Sequence, residues 1–273
     1  MTKIGKSLAL NAFCFFNRYS YFCILLTRSR LLNNYKLVIQ YDGTAYSGWQ
    51  IQKNQMTVQQ KITDSVEIIL KEKVNLIGSG RTDTGVHALG QTANFRTEQE
   101  LDLYKFTYSL NSVLPNDISI MKIENAAENF HSRFDAKKRT YIYLMSGYKS
   151  PFYKNYSYFY HYNIDCSRLN KLSGALLGRQ DFSSFSKKNT DTKNSICTIY
   201  EAHWRQTGGL FLFYISADRF LHGMVRAVTG TLLNALKNNF GNDYISRVID
   251  SKDRAAASEA VPAKGLFLYK VKY

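Results

Sequence analysis

Hydrophobic and polar positions divide the chain from Tyr35 onward into a regular succession of strands and helices. Tyr35 to Tyr41 is rich in β-branched and aromatic residues and reads as a strand. Thr57 then opens a helix. Thr57 with Gln60 has the capping-box pattern, and Val58, Ile62, Val66, Ile69 and Leu70 recur at helical spacing on one apolar face. Val74 to Ile77 and Gln91 to Phe95 are strand-like runs on either side of a glycine-rich loop. Asp102 to Leu114 reads as a second helix that stops before Pro115, and Asp117 to Ile123 as a strand. The order β-α-β-loop-β-α-β is that of a ferredoxin-like α/β unit, with the loop at one end of its sheet.

Further on, Tyr141 and Tyr143 alternate with Ile142, so both point to one face of a strand. Asp165 to Leu177 is a helix ended by Gly178, and Ile196 to Arg205 pairs with Leu210 to Ser216 through Gly208-Gly209. Leu221, Val225, Val228, Leu232 and Leu236 form the buried stripe of a last long helix, with Arg226 off that stripe. Pro262 to Leu268 ends the pattern as a strand. Trp49, in the turn-rich stretch Tyr41 to Gln52, reads as a packed core residue.

Composition sharpens this picture. The 273 residues, 45% of them hydrophobic, are enough for one large or two modest domains. Lys+Arg 36 against Asp+Glu 21 gives +15, and aromatic residues make up 14%. That balance suits a polyanionic partner read by stacking, although a merely basic protein has the same charge. Cys14, Cys23, Cys166 and Cys197 are scattered without CxxC or paired His spacing, which argues against structural zinc and a disulfide framework and fits a reducing, cytoplasmic setting. Residues 1–33 contain no acid and five cations, Lys3, Lys6, Arg18, Arg28 and Arg30, with no apolar run of membrane-spanning length. A spurious start or disordered tail, a targeting leader and a membrane anchor compete for that stretch. Neither repeats nor Walker, dinucleotide or metal spacings occur, so no cofactor and no metal are expected.

The chemistry concentrates in Gly78-Ser79-Gly80-Arg81-Thr82-Asp83-Thr84-Gly85-Val86-His87-Ala88. Three glycines free the backbone to turn sharply and approach a ligand. Arg81 is placed to favour the charged form of Asp83, and a carboxylate at such a loop tip suits nucleophilic work. An Asx-turn capping its own backbone would look the same. Arg133, Lys137, Lys138 and Arg139 form a basic cluster among aromatics, the composition for phosphate contact and base stacking. Tyr148 to Tyr162 is tyrosine-dense and is either an RNA-facing insertion or a variable surface loop. Asp181 reads as a turn or cap residue. Arg226 calls for an acid or a phosphate, with Asp83 and Asp218 both candidates.

Gly80-Arg81-Thr82-Asp83-x-Gly85-Val86-His87-Ala88 resembles the catalytic loop of the tRNA pseudouridine synthase A family, with Thr84 where the family has alanine. Tyr41-Asp42-Gly43-Thr44-x-Tyr46-x-Gly48-Trp49-Gln50-x-Gln52, Asp181-Phe182-Ser183-Ser184-Phe185, Met224-Val225-Arg226 and Pro262-Ala263-x-Gly265-Leu266-x-Leu268 match further family stretches, so the likeness runs from about Tyr35 to Tyr273. It implies two ferredoxin-like halves sharing a mainly antiparallel sheet, residues 34–136 and 137–273, with the active site between them. It implies isomerisation of uridine in the anticodon stem-loop of tRNA, at positions 38, 39 and 40. Asp83 is then the nucleophile, attacking C1′ or C6, with Arg81 beside it and Arg226 facing it; Tyr141 packs on the target base and Leu266 lines the uridine pocket. A homodimer with tRNA as partner and no membrane association follows from the same likeness. Two rival readings are a catalytically silent RNA-binding protein and a metal-dependent nuclease, which would want clustered carboxylates.

Overall fold

The computed structural model describes residues 32–187 and 194–273. The expected extension, apart from its last two residues, lies outside the described residues, as do Cys14 and Cys23. The first strand, β1 (Asn33–Tyr41), starts two residues earlier than its composition suggested, because Asn33 and Asn34 are already paired to Thr97 and Arg96. It is followed by α1 (Val58–Leu70), β2 (Ile77–Gly78), β3 (His87–Thr97), α2 (Leu103–Val113) and β4 (Ile118–Ala126). Then come β5 (Lys138–Ser146), β6 (Tyr158–Phe159), α3 (Cys166–Ser173), β7 (Gly178–Asp181), β8 (Ile196–Thr207), β9 (Leu210–Ala217), α4 (Met224–Lys237), α5 (Tyr244–Ser251) and β10 (Leu266–Lys272).

All the strands join one sheet in the order β4-β1-β3-β10-β5-β9-β8-β7, with β2 on β3 and β6 on β5. Ladders are antiparallel except β3–β10 and β5–β6. The strand orders β4-β1-β3 with β2, and β10-β5-β9-β8, are those of two ferredoxin-like units, each a βαββαβ chain. This is the mixed α/β architecture expected from the sequence. The units meet where β10 lies parallel to β3, through only two paired positions, His87 with Phe267 and Ala88 with Leu268.

Alternation decides which face carries the core. Tyr35, Leu37, Ile39 and Tyr41 of β1, Tyr141, Tyr143 and Met145 of β5, and Phe211, Phe213 and Ile215 of β9 are all buried. The intervening Lys36, Val38, Ile142, Leu144, Leu212 and Tyr214 are half-buried. Val58, Ile62 and Val66 of α1 and Val225, Val228 and Leu232 of α4 belong to the same core.

Several local expectations change with tertiary contact. Thr57 caps α1 by accepting from the Gln60 amide at 3.4 Å, but the Gln60 side chain donates to Asp64 instead of returning, so half of the capping box forms. Of the apolar run Val74 to Ile77 only Ile77 enters a strand, the two-residue β2, because the Leu76 carbonyl accepts from Gln59 Nε2 at 2.7 Å and the Val74 amide is held by Glu67. The helix expected from Asp165 to Leu177 ends at Ser173 and tightens into a 3₁₀ turn over Gly174–Leu176. The helix α4 is buried nearly all round rather than along a stripe, with Arg226 and Asn234 among its few partly exposed positions. Gly230 permits this, since a Cβ there would stand 2.0 Å from the Glu259 carbonyl oxygen.

Candidate active site

The loop from Gly78 to Val86 is built against the turn-rich stretch that follows β1. Trp49, 1% exposed, lies against Gly78, and its amide donates to the Thr82 carbonyl at 3.2 Å. Gly48, at φ 87°, lets the two backbones approach: a Cβ there would be 2.5 Å from the Thr82 oxygen. Beneath the loop, Gln91 of β3 is fully buried. Its Oε1 accepts from Ser79 Oγ at 2.6 Å and from the Thr92 amide at 3.1 Å, and its Nε2 donates to the Gly80 carbonyl at 2.9 Å. Tyr41 Oη and Thr82 Oγ1 share a buried hydrogen bond of 2.8 Å. The far end of the loop is pinned by His87, 1% exposed. Its Nδ1 accepts from the Gly43 amide and its Nε2 lies 3.0 Å from the Asn155 carbonyl and 3.2 Å from that of Lys264.

Asp83 rises from this frame with its side chain 21% exposed and both oxygens engaged by the other half of the molecule. Arg226 Nη1 is 3.2 Å from Oδ2, and His222 Nε2 is 3.1 Å from Oδ1. Arg226 is held in turn, donating from Nε to the Val261 carbonyl at 2.7 Å. The two partners stand four residues apart at the head of α4, and Gly223 between them, the residue that precedes the helix, takes φ 73°, a left-handed conformation open to glycine. Asp218, the other acid considered for Arg226, is used elsewhere: its Oδ1 accepts from the amides of Thr198 and Arg219.

Tyr141 lies on β5, 8% exposed, edge-on to Phe220 at 5.2 Å. Its hydroxyl has no hydrogen-bond partner among the described residues. Burial, and then the charge of Asp83, push the phenol well above its usual range, while Arg139 works weakly the other way. The fold therefore keeps this hydroxyl neutral. Leu266 begins β10 and is 5% exposed, opposite Tyr143 in the ladder. Tyr143 is fully buried and donates to the Pro262 carbonyl at 2.9 Å, a core residue as its neighbours suggested.

Other expected site residues are placed differently. Arg81 does not touch Asp83: it is exposed and donates from Nε to Gln50 Oε1 at 3.2 Å, because Arg81 and Asp83 diverge around the Tyr41-anchored Thr82. Lys138 pairs with Glu201 and lies over the Tyr200 ring, on the sheet face opposite Tyr141, since successive strand residues point to opposite faces. Arg139 shares the face of Tyr141, but its guanidinium is used internally, donating to the carbonyls of Ser79 and Arg133 at 2.8 Å and of Asp218 at 2.9 Å. Arg133 and Lys137 are exposed. Asp181 accepts from the Ser183 amide at 2.9 Å, the turn role expected of it. His222 was not singled out by its sequence context; its i, i+4 spacing to Arg226 across a glycine was the available signal. Gln91 carried no signal at all, being one polar position in a strand.

A family model described as tRNA pseudouridine synthase matches residues 37–135 and 173–273. Three similar proteins share the description tRNA pseudouridine synthase A. Those of Clostridium acetobutylicum and Caldicellulosiruptor saccharolyticus are each 41% identical over 244 residues, 89% of this chain and 100% of theirs. That of Bacteroides fragilis is 40% identical over 244 residues, 89% of this chain and 97% of its own.

Proposed function

The chain belongs to the tRNA pseudouridine synthase family, and we propose that it isomerises uridines 38, 39 and 40 of the tRNA anticodon stem-loop through a covalent intermediate on Asp83. The observation that carries this reading is a single loop carboxylate whose two oxygens are each met by a nitrogen from the opposite half, Arg226 on one and His222 on the other. The reaction breaks N1–C1′, turns the uracil, joins C5 to C1′ and moves the C5 proton to the ring nitrogen, so atoms balance without an outside donor. Asp83 supplies the attacking oxygen, at C1′ or at C6. Arg226 fixes its direction, which matters because a nucleophile misplaced by about 1 Å loses ~100-fold in rate.

The target uridine must leave its stack to reach Asp83. Tyr141 and Leu266 form apolar surface for the extruded base, and the neutral Tyr141 hydroxyl hydrogen-bonds it. Phosphate contacts from exposed cations such as Arg81, Arg133 and Lys137 supply most of the affinity for tRNA. Among the described residues no helix is long and apolar enough to cross a membrane.

The purified protein is expected to convert an unmodified tRNA transcript, with pseudouridine mapped to the anticodon stem-loop. Modification confined to another arm of the tRNA would overturn the positional reading, and none at all would overturn the activity. Modification by an Asp83→Asn variant would overturn the role given to the carboxylate.

A further inference from the structure

Phe134 is 74% exposed, yet the turn that carries it is rigid. Ser132, fully buried, donates from its amide to Asn94 Oδ1 at 2.9 Å and from its hydroxyl to the Ile77 carbonyl, while its own carbonyl accepts from Tyr273 Oη at 2.8 Å. The His131 amide donates to Asp135 Oδ2 at 2.8 Å, and the Asp135 amide returns to the His131 carbonyl at 3.0 Å. The amides of Arg133 and Phe134 both point at His131 Nδ1, at 3.2 and 3.4 Å, and the His131 ring backs the Phe134 ring at 4.3 Å. An exposed aromatic is ordinary. One whose backbone is fixed by this many hydrogen bonds is pre-organised for a contact.

Position and charge identify the contact. Arg139 Nη2 donates both to the Arg133 carbonyl and to the Ser79 carbonyl, each at 2.8 Å, so one guanidinium joins this turn to the shoulder of the loop that bears Asp83. The Arg133 guanidinium lies 5.6 Å from the Phe134 ring centre and has no ion pair among the described residues. The carboxylate in the turn, Asp135, is committed to the His131 amide. What is offered outward is a flat π surface with a cation over it, beside a catalytic loop. Its complement is a flat base attached to a phosphate.

We propose that the turn from His131 to Asp135 is a stacking platform for one unpaired nucleotide of the tRNA substrate, the base resting on Phe134 and its phosphate meeting Arg133. The inference rests on the reading of the protein as a tRNA-modifying enzyme and adds the surface that holds the strand once it is opened beside the cleft. Base–aromatic stacking is sequence-tolerant, because every base has a π face. The platform therefore holds a nucleotide in any of several tRNAs without selecting among them.

The test measures tRNA affinity directly, separately from modification, with the full chain. Phe134→Ala is expected to weaken binding ~10-fold, within the range for loss of one stacked base. Phe134→Leu, which keeps apolar bulk without a π face, should weaken it comparably, and Phe134→Trp should retain it. Arg133→Gln should weaken binding and lower its salt dependence by about one ion. Phe134 is exposed, so melting temperatures of these variants report whether any loss comes from unfolding. An Ala variant that binds within 2-fold of the parent overturns the platform. So does a Leu variant that binds as the parent does, since apolar bulk without a π face would then suffice. A parent protein that binds tRNA but never forms pseudouridine overturns the proposed function and leaves the platform standing, so the two failures are distinguishable.

Discussion

The two halves of the sheet repeat one chain order and contribute unlike parts to the cleft. The half carrying β1 to β4 gives the Asp83 carboxylate, on a loop held by Gln91 at the Gly80 carbonyl, by Trp49 at the Thr82 carbonyl and by Tyr41 at the Thr82 hydroxyl. The half carrying β5 to β10 gives the two groups that touch that carboxylate, Arg226 and His222 at a helix head, and the strand residue Tyr141, whose phenol feels its charge. One side is held by hydrogen bonds along the loop and presents the carboxylate proposed to react. The other is held by packing and presents charge and surface. The seam between them has two ladder positions and His87 stacked on Phe267 at 4.7 Å, with hydrogen bonds crossing it from Arg139 to the Ser79 and Arg133 carbonyls and from Tyr273 to that of Ser132. The Asp83–Arg226 contact itself crosses that seam, so the geometry of the site is a property of the interface.

Removing the part unique to the first half has the largest expected effect. Asp83→Asn should lower the single-turnover rate by roughly 10³-fold or more, as loss of a covalent nucleophile does, while tRNA affinity stays within a few-fold because phosphate contacts dominate it. Weakened binding of the same size as the rate loss would show that Asp83 serves structure instead. Arg226→Met attacks the second half's contribution. It should cost ~100-fold in rate, comparable to loss of one charge-stabilising donor in an active site, with a modest fall in melting temperature because the Val261 carbonyl also loses its partner. If Arg226→Lys restores most of the rate, charge suffices and the fixed guanidinium geometry is unimportant.

Tyr141→Phe is expected to cost less than Arg226→Met, about 10-fold in single-turnover rate, since it keeps the ring and loses the hydroxyl. Its pH dependence separates a neutral hydrogen-bonder from a base. The fold raises the phenol above its ordinary value, so it favours the protonated form. Stability from that preference is full below the unfolded pKa of about 10 and is lost as pH rises through the folded value. Tyr273, pushed up to about 12 by burial, and Tyr41 and Tyr143, also raised by burial, act in the same direction. Denaturant midpoints should therefore drop above pH 10, and drop less in Tyr141→Phe. An activity limb between pH 7 and pH 9 that disappears in the Phe variant would mean that Tyr141 works as a phenolate.

Legibility from the sequence follows the range of the interaction. The strands and helices that bury one face were readable because alternation and helical spacing are local, as at Tyr35 to Tyr41 and at Val58 to Leu70. The departures at Val74 to Ile77 and along α4 arose where a distant group took over, Gln59 on the Leu76 carbonyl and Glu259 against Gly230. At the site, Asp83 stood out through its glycine-flanked setting. Spacing alone did not say which cation faces it, whereas the family likeness pointed to Arg226: Arg81 is two residues away in sequence and donates to Gln50, while Arg226 is 143 positions away and makes the contact. His222 offered only its four-residue spacing to Arg226 and Gln91 no clue, because their roles exist only once the seam and the loop are assembled.

The smallest expected effect asks how much of the second half's contribution is shared. His222 and Arg226 hold different oxygens of Asp83 at nearly the same distance, 3.1 and 3.2 Å, but the His222 side chain is 46% exposed against 23% for Arg226. An exposed pair is screened by water and gains little, whereas a more enclosed one keeps more of its attraction. Arg226 is also anchored through a second nitrogen to the Val261 carbonyl, and no such anchor holds the His222 ring among the described residues. His222 should therefore trim the orientation that Arg226 sets. His222→Ala is expected to lower the single-turnover rate about 5-fold, well below the loss in Arg226→Met. His222→Gln keeps an N–H able to reach Oδ1 and should recover to within about 2-fold of the parent. Rates for both variants at saturating enzyme decide the point. A Gln variant as slow as the Ala variant would mean that the imidazole itself takes part, and an Ala loss equal to that of Arg226→Met would make the two groups equal members of one clamp.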